Sequence, residues 1–388
     1  MEFKGCGQSG YRCGFFVPES ERMKWIDSPA DASCLQDWHE AGPVAMDTEF
    51  MREKTFYPEL ALVQLGRPGD VLLLDAPRLG RLPAMVALLQ ASCLKVMHSA
   101  SEDLQALHHA YGVLPAPLFD TQVAAGLVGL DPSMSYQKLV AELCGVPLEK
   151  GETRSDWLRR PLSEAQLHYA ADDVRYLLEP HAELARRLEA LGRRTWLDED
   201  CQRAIEQAVG ADDPHPHLAV RPAQGLPRGQ QARLRRLLRW RDGQARAGNR
   251  PRSWVLDPGL ALDLAQRAPL DRGAFEQLLD RNPKSPRKRR DELFELVNAE
   301  PSAEELDIPL AELPDPQERD QLRRLQQAVT SIAAALGIHE SVLASRKHLE
   351  TLLREGRWSS HLSGWRRGLL ESKLVPLLPE SRRAAAAG

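Results

Sequence analysis

Short apolar runs separated by turn residues predict a β-sheet in the first half of the chain. Such runs, bounded by Gly, Pro, Asn or Ser, are typical of strands. They occur at residues 44–50, 60–65, 71–75, 94–98 and 118–120. Only a turn at residues 66–69 separates the second run from the third, and a connection this short joins antiparallel strands.

Apolar residues at helical spacing lie between and after these runs, which favours an α/β domain. They predict helices at residues 82–91, 121–130, 136–144 and 163–191. Ser99 followed three residues later by Glu102 has the pattern of a capping box, so another helix is expected to begin there, with Asp103 in its first turn. The positive end of that helix is expected to keep Asp103 ionised.

The second half of the chain is nearly all helical in pattern and contains a faint repeat. Gly248, Val255-Leu256 and Leu262 are echoed by Gly337, Val342-Leu343 and Leu349. Proline-rich segments mark its boundaries. The expected division is a flexible leader at 1–22, an α/β domain at 23–212, a linker at 213–223, a helical module at 224–303, a linker at 304–314 and a second module at 315–388.

Composition is that of an ordinary globular protein with more than one domain: 388 residues, 27% of them charged and 43% hydrophobic. No apolar run reaches the length of a membrane span, so no membrane association is expected. The six cysteines are scattered without the spacing of a zinc site. This favours a reducing compartment and a cytoplasmic location.

Charge is distributed unevenly, although the net charge of the chain is only −4. Residues 1–220 hold 21 Lys and Arg against 33 Asp and Glu, residues 221–300 hold 18 against 10, and residues 301–388 hold 12 against 12. An acidic first half followed by a basic middle is typical of a metal-binding domain beside one that holds a polyanion.

Several acidic residues are spaced so that their carboxylates can lie close together. Asp47 and Glu49 are two residues apart, so both carboxylates point to the same face of a strand. Such a pair repels unless a cation lies between the two groups, and carboxylate oxygens suit Mg²⁺ and Mn²⁺. Tyr169 and Asp173 are four apart and share one helix face. Each pair alone has a plainer interpretation, as a polar strand edge or a surface hydrogen bond.

Taken together, Asp47, Glu49, Asp103, Tyr169 and Asp173 resemble the tyrosine subclass of the DEDD superfamily of 3′→5′ exonucleases, and within it the ribonuclease D family. Further motifs in the same order extend the resemblance over residues 44–178. They are Asp47-Thr-Glu-Phe50, Tyr57-Pro58, Leu62-x-Gln64-Leu65, His98-x-x-x-Glu102-Asp103-Leu104, Asp120-Thr-Gln122, Arg154-Ser-Asp-Trp157, Arg160-Pro161-Leu162 and Tyr169-Ala-Ala-x-Asp173.

This resemblance implies an RNase H-like exonuclease domain, with a mixed sheet flanked by helices, that binds two divalent metal ions, Mg²⁺ or Mn²⁺. By similarity, Asp47 bridges both ions, Glu49 and Asp173 complete one site, and Asp103 supports the other. Tyr169 would orient the attacking water. Without metal, the four carboxylates are expected to raise one another's pKa.

Two positions depart from a simple match. A sister subclass uses histidine five residues before the last aspartate, and His168 stands at that distance from Asp173. Tyr169 is preferred because it shares a helix face with Asp173, which leaves His168 pointing elsewhere. Asp172 occupies a place where this family more usually has a small residue.

The helical modules resemble HRDC modules, most clearly in Trp240-Arg-Asp-Gly-Gln-Ala-Arg246 and, near the end of the second, Ser363-Gly-Trp365-Arg366. This implies RNA binding, and the net charge predicts that the first module contributes more affinity than the second. Six cations lie within residues 281–290, for which a solvated helix start is the plainer alternative. Trp358 and Trp365 are expected in the core, with base-stacking platforms as the alternative. The candidate RNA-binding residues are Phe50, Lys150, Arg154, Arg281, Lys284, Arg287, Lys288, Arg289 and Arg290.

The resemblance implies a metal-dependent 3′→5′ exoribonuclease that trims the 3′ ends of transfer RNA precursors and other small RNAs. It would release nucleoside 5′-monophosphates and need no obligatory protein partner. A DNA exonuclease is an alternative, because contacts to the 2′-OH rather than the metal site distinguish RNA from DNA. A catalytically silent RNA-binding protein is a further alternative, against which the complete set of acidic residues argues.

Overall fold

A computed structural model of the protein describes residues 22–38, 42–149, 151–152, 154–210, 212–282, 285–286, 288–313 and 315–387. The expected leader therefore lies outside the described residues, apart from Arg22. Lys150, Lys284 and Arg287 lie outside them as well.

Within the described residues, a six-stranded mixed sheet forms the centre of the first half. Its strands are β1 (Arg22–Ile26), β2 (Val44–Met51), β3 (Glu59–Arg67), β4 (Asp70–Asp75), β5 (Lys95–Met97) and β6 (Leu118–Asp120). They lie in the order β1-β4-β3-β2-β5-β6. β3 is antiparallel to β2 and β4, while the β1–β4, β2–β5 and β5–β6 pairs are parallel.

The five predicted strands and the antiparallel β3–β4 pair are confirmed, whereas β1 was not predicted. β1 lies at the sheet edge, and its first three residues are exposed. An exposed edge strand needs no continuous apolar run, so its sequence pattern is weak. Arg22, placed in the leader, is its first residue.

Helices flank this sheet on the described part of the chain. They are α1 (Ala76–Leu79), α2 (Pro83–Gln90), α3 (Ser101–Tyr111), α4 (Thr121–Leu127), α5 (Tyr136–Cys144), α6 (Glu164–Arg175), α7 (Leu178–Ala190) and α8 (Arg194–Ala208). The single helix expected at residues 163–191 is wrong, because α6 and α7 are separate. Pro180 has no N–H for the carbonyl of Tyr176, and its ring would clash with that carbonyl in a continuous helix.

The predicted capping box at the start of α3 is also wrong. The N-cap is Ala100, and Ser99 has a φ of 59°. The carboxylate of Asp120, at the end of β6, instead accepts hydrogen bonds from the backbone N–H groups of Ser99 and Ala100, at 3.0 and 2.9 Å. Hydrogen bonds to Asp120 of β6 therefore replace the capping box that was expected from Ser99 and Glu102.

Two helical bundles follow. The first contains α9 (Arg228–Ala247), α10 (Arg252–Val255), α11 (Pro258–Arg267), α12 (Arg272–Asp280), α13 (Arg290–Asn298) and α14 (Ala303–Leu306). The second contains α15 (Pro316–Leu336), α16 (Glu340–Leu343), α17 (Arg346–Glu355), α18 (Trp365–Leu374) and α19 (Glu380–Ala387). None of the described helices combines the length and apolarity needed to cross a membrane.

The repeat is present in the helices, and Gly248 and Gly337 both stand at the C-cap of the long helix as predicted. From the short helix onward it is shifted by one residue from the predicted correspondence. Each bundle opens with a long helix, a four-residue helix and a ten-residue helix. The extended residue after the short helix is Leu256 in the first bundle and Ala344 in the second, with φ of −154° and −155°. Leu256 therefore corresponds to Ala344 rather than to Leu343.

The two bundles relate differently to the α/β domain. The first has an apolar core of its own, whereas the buried residues of the second belong to the same cluster as the sheet. Trp365 stacks on Trp196 of α8, with ring centroids 4.3 Å apart, so its predicted place in the core is confirmed. Trp358 is half-buried and donates its Nε1–H to the carbonyl of Ala386 at 2.8 Å.

The expected linkers are packed rather than extended. Residues 213–223 contain short 3₁₀ helices at Pro216–Ala219 and Arg221–Ala223. His217 is fully buried, and its Nε2 lies 2.9 Å from the carbonyl oxygen of Pro309 in the other linker. The two linkers therefore contact each other, and the domain boundaries stay a prediction.

A buried ionic network joins the second bundle to α8. Asp200 accepts hydrogen bonds from both terminal nitrogens of the Arg366 guanidinium, from Arg203, and from the Nε1–H of Trp365 at 3.2 Å. Arg366 is 4% exposed and also donates to the carbonyl of Val342. Removing one partner of such a pair leaves an uncompensated buried charge.

We therefore expect Asp200→Ala to lower the free energy of unfolding by about 3–5 kcal/mol, measured by urea denaturation. Asp198→Ala, on the same helix, is the matched control. Asp198 is about half exposed and pairs only with Arg194 among the described residues, so its loss should cost less than about 1 kcal/mol. Equal effects of the two substitutions would contradict the role of Asp200.

Candidate active site

β2 carries the candidate site because it extends beyond the end of β5, one of its two neighbouring strands. β5 pairs with β2 only at Val44 and Ala45, so the second half of β2 has an edge that β5 leaves open. The first turn of α3, which follows β5, lies against this edge. Thr48 points there and donates its hydroxyl to Oδ1 of Asp103 at 2.5 Å.

Asp47 and Glu49 lie on the face of β2 opposite to Thr48, and α6 covers that face. Gly66 pairs with Ala45 and so shares the face of Asp47. A Cβ at Gly66 would lie 2.7 Å from the carbonyl oxygen of Val174 in α6, so the missing side chain lets α6 lie directly on the sheet.

This packing brings Asp173 to the strand. Carboxylate oxygens of Asp47, Glu49 and Asp173 all lie within 4.8 Å of one another. Asp103 stands beside this group, hydrogen-bonded to Thr48 and near enough to Asp47 to raise the pKa of that residue. Three of the predicted acidic residues therefore form one cluster, and the fourth flanks it.

Tyr169, rather than His168, reaches the cluster. Tyr169 lines the same cavity as Asp47 and Asp173 and lies close enough to Asp173 for each to shift the pKa of the other, while His168 is exposed. The backbone at Gly151 packs on the tyrosine ring so closely that a Cβ there would lie 2.6 Å from Cδ2 of Tyr169. Asp172 pairs with Arg175.

A cavity of about 130 Å³ opens onto the cluster. Besides Asp47, Tyr169 and Asp173, it is lined by His98, Tyr136, Gln137 and Leu177. These four residues were not predicted as site residues, and only the spacing of His98 before Glu102 pointed to one of them. His98 is held by Thr121 Oγ1 at 2.9 Å and the carbonyl of Met134 at 3.0 Å.

The pKa of every carboxyl group in the site is raised, as predicted, but burial rather than mutual repulsion is the largest cause. Burial and then the neighbouring carboxylates raise the pKa of Asp47 well above its ordinary value and that of Glu49 to about 9. Burial likewise raises the pKa of Asp173 to about 8 and that of Asp103 to about 7. Burial thus raises the pKa of Asp103 even though the residue lies in the first turn of α3.

The donor set fits a hard divalent cation. The clustered ligand atoms are all carboxylate oxygens, which suit Mg²⁺, Mn²⁺ or Ca²⁺ rather than a thiophilic metal. Three ionised carboxylates this close together repel one another unless a cation neutralises them.

The predicted RNA-binding residues are dispersed. Phe50 is half-buried on β2 at a register shift after Glu49, and Arg154 is exposed in the loop beyond Gly151. Arg281 and Lys288 are exposed on the first bundle. In the same run, Arg289 pairs with Glu292, and Arg290 pairs with Glu276 and Asp280.

The first bundle is attached to the loop that follows β2, which the sequence did not indicate. Oδ1 of Asn249 accepts hydrogen bonds from the backbone N–H groups of Phe56 and Tyr57, at 3.0 and 3.1 Å. The guanidinium groups of Arg252 and Arg246 lie 4.7 and 5.5 Å from the centre of the Phe56 ring. The basic bundle thus contacts the segment that leaves the strand of Asp47 and Glu49.

Carboxylates on a strand and a helix of this mixed α/β domain, with a tyrosine beside the last of them, match the arrangement that the resemblance to metal-dependent 3′→5′ exonucleases implies. Consistent with this class, residues 23–189 match the family model described as 3′-5′ exonuclease.

Relatives of nearly full length identify the family to which the chain belongs within this class of exonucleases. The ribonuclease D of Xanthomonas oryzae pv. oryzae is 46% identical over 359 residues, which cover 92% of this chain and 99% of that protein. The ribonuclease D of Pseudomonas paraeruginosa is 37% identical and covers 94% and 99%. The crystal structure of Escherichia coli RNase D, an exoribonuclease involved in structured RNA processing, matches with a TM-score of 0.80 and 29% identity over 92% of this chain and 98% of that one.

The chain belongs to the ribonuclease D family and is a 3′→5′ exoribonuclease. Its exonuclease fold and acidic cluster make that activity dependent on a divalent metal.

The raised pKa values predict how the metal-free protein responds to pH. A carboxyl group whose pKa is higher in the folded than in the unfolded state stabilises the fold below its unfolded pKa, near 4, and this stabilisation is lost as the pH rises through the folded pKa. For Asp103, Asp173 and Glu49 the folded values are about 7, 8 and 9. We therefore expect the melting temperature of chelator-treated protein to fall from about pH 4, where this stabilisation begins to be lost, to about pH 9, where the last of these groups ionises.

The Asp47→Asn/Glu49→Gln variant should show a flatter decrease in a fluorimetric melt, because two of the titrating groups are absent. Saturating Mg²⁺ should flatten the wild-type curve for a related reason, since the cation stabilises the ionised form. Parallel curves for wild type and variant would contradict the raised pKa values of Asp47 and Glu49.

Proposed function

We propose that this exoribonuclease shortens the 3′ ends of transfer RNA precursors and other small structured RNAs, releasing nucleoside 5′-monophosphates. The observation that carries the proposal is the cluster of Asp47, Glu49 and Asp173 with Tyr169 beside it in the same cavity. The E. coli relative, described as acting in structured RNA processing, supports the substrate class. Transfer RNA as the particular substrate rests on the family resemblance.

In this proposal, two divalent cations, Mg²⁺ or Mn²⁺, supply the chemistry by activating the attacking water and stabilising the leaving 3′ oxygen. Asp47, Glu49 and Asp173 would hold the first, and Asp47 with Asp103 would hold the second. The flanking position of Asp103, hydrogen-bonded to Thr48, supports its assignment to a separate site.

Tyr169 has the role of a neutral hydrogen-bond donor. Burial and then the nearby carboxylates, first Asp173, raise its pKa above the ordinary value, so the hydroxyl keeps its proton at neutral pH. A neutral phenol in this place can orient the attacking water without acting as a base. The close packing of Gly151 on its ring restricts where the hydroxyl can point.

The first bundle has the role of holding RNA. Its net charge is positive, and Asn249 anchors it at the loop after β2. On α10, Trp254 is 54% exposed and lies two residues from Arg252. An exposed indole on this basic bundle is suited to stacking on bases of a single strand.

The test of the reaction is a time course on a 3′-extended transfer RNA with Mg²⁺, beside single-stranded DNA of equal length. We expect stepwise shortening of the RNA, with kcat reduced roughly a hundredfold or more in Tyr169→Phe and little changed in the matched control His168→Ala. Preferential shortening of the DNA would favour the DNA exonuclease alternative. Loss of activity in His168→Ala alone would contradict the role of Tyr169.

The contribution of the first bundle is best tested by point substitution. Deleting residues 304–388 would expose the core that the second bundle shares with the sheet. Arg281→Gln/Lys288→Gln should weaken RNA binding to metal-free protein. It should also reduce the slope of log affinity against log salt by about 0.7–0.9 for each phosphate that is no longer neutralised.

Arg319→Gln/Arg323→Gln removes the same charge from the surface of the second bundle and serves as the control. Filter binding across a salt series gives both slopes. A larger loss of affinity in the control than in the first-bundle variant would contradict the greater contribution of the first bundle.

A further inference from the structure

Gln64 is a polar residue in a place where the sheet otherwise buries apolar side chains. It is fully buried in the middle of β3, between Val63 and Leu65. Neither Nε2 nor Oε1 of its amide has a hydrogen-bond partner among the described residues. A buried amide without partners costs free energy that an apolar side chain of similar size would not.

The register of the sheet places Gln64 directly opposite Asp47. Directly opposed residues of antiparallel strands point to the same face, with Cβ atoms about 4.5–5.5 Å apart, which is within reach of a glutamine side chain. Gly66, two residues further along β3, shares this face and contacts Val174 of α6. Gln64 therefore lies under α6, beside the carboxylate at the centre of the acidic cluster.

A carboxylate that binds metal still has lone pairs free, and donors from surrounding residues fix its orientation through them. The remaining acidic residues of the cluster cannot serve as donors once they are ionised. The amide of Gln64 is a neutral donor in the correct place, and in the metal-free fold it makes no competing hydrogen bond within the described part of the chain.

We infer that Gln64 is a positioning residue that donates its Nε2–H to the carboxylate of Asp47 when Asp47 binds metal. The unpartnered amide is retained because it orients this ligand, not because it stabilises the fold. The inference rests on the proposed metal-binding role of Asp47. It distinguishes Gln64 from a purely structural core residue by opposite expected effects on stability and metal affinity.

The test is Gln64→Met, which keeps the length and approximate volume of the side chain but removes the donor. The urea midpoint of metal-free protein should be unchanged or higher, because an unpaired amide has been removed. The affinity for Mn²⁺, measured by calorimetry without RNA, should fall about 10- to 100-fold. Leu65→Met, the next residue on the opposite face, should leave the affinity unchanged.

Unchanged Mn²⁺ affinity in Gln64→Met would overturn the inference, whatever the urea midpoint. A lower midpoint together with weaker binding would overturn it as well, since that pattern indicates a structural role. Asp47→Asn separates the inference from its premise. If Asp47→Asn also binds Mn²⁺ like wild type, the proposed metal ligand set fails, whereas weaker binding in Asp47→Asn without weaker binding in Gln64→Met overturns only the role of Gln64.

Discussion

The approach of α6 to the sheet at Gly66 is the contact on which the active site depends. Helix α6 supplies Asp173 and Tyr169, and the strand it covers supplies Asp47 and Glu49. Because the carbonyl oxygen of Val174 lies where a Cβ at Gly66 would need to be, any larger residue there must move the helix or the strand. Moving the helix or the strand to make room for a Cβ would separate carboxylate oxygens that now lie within 4.8 Å of one another. The spacing of the ligands is therefore set by backbone packing.

Burying this cluster is unfavourable by itself, and the rest of the domain must offset it. Burial is the largest cause of the raised pKa of each carboxyl group. Ionising any one of them therefore costs free energy even when the neighbouring carboxyl groups are protonated. The apolar core that surrounds the sheet continues into the second bundle, where Asp200 and Arg366 are paired. That bundle therefore serves as part of the scaffold for the active site, a role that the zero net charge of residues 301–388 does not suggest.

Local sequence patterns were sufficient for the elements that carry the site. The alternation around Asp47 and Glu49 specifies a strand and a common face, and the spacing of Tyr169 and Asp173 specifies a common helix face, so both pairs lie as predicted. The features that were missed depend on residues distant in sequence. Asp120 replaces the expected cap of α3 from a neighbouring strand, and Asn249 binds a loop nearly two hundred residues earlier. No periodicity within either segment could indicate its partner.

The two helical bundles share a helix pattern but differ in how they are held to the α/β domain. The second bundle is fused to the domain through a common core, whereas the first has a separate core and reaches the loop after β2 through Asn249 and the arginines over Phe56. Hydrogen bonds and cation–π contacts at a surface can open at a much lower cost than a shared apolar core. The first bundle is therefore held to the α/β domain by contacts that open more easily than those that hold the second bundle.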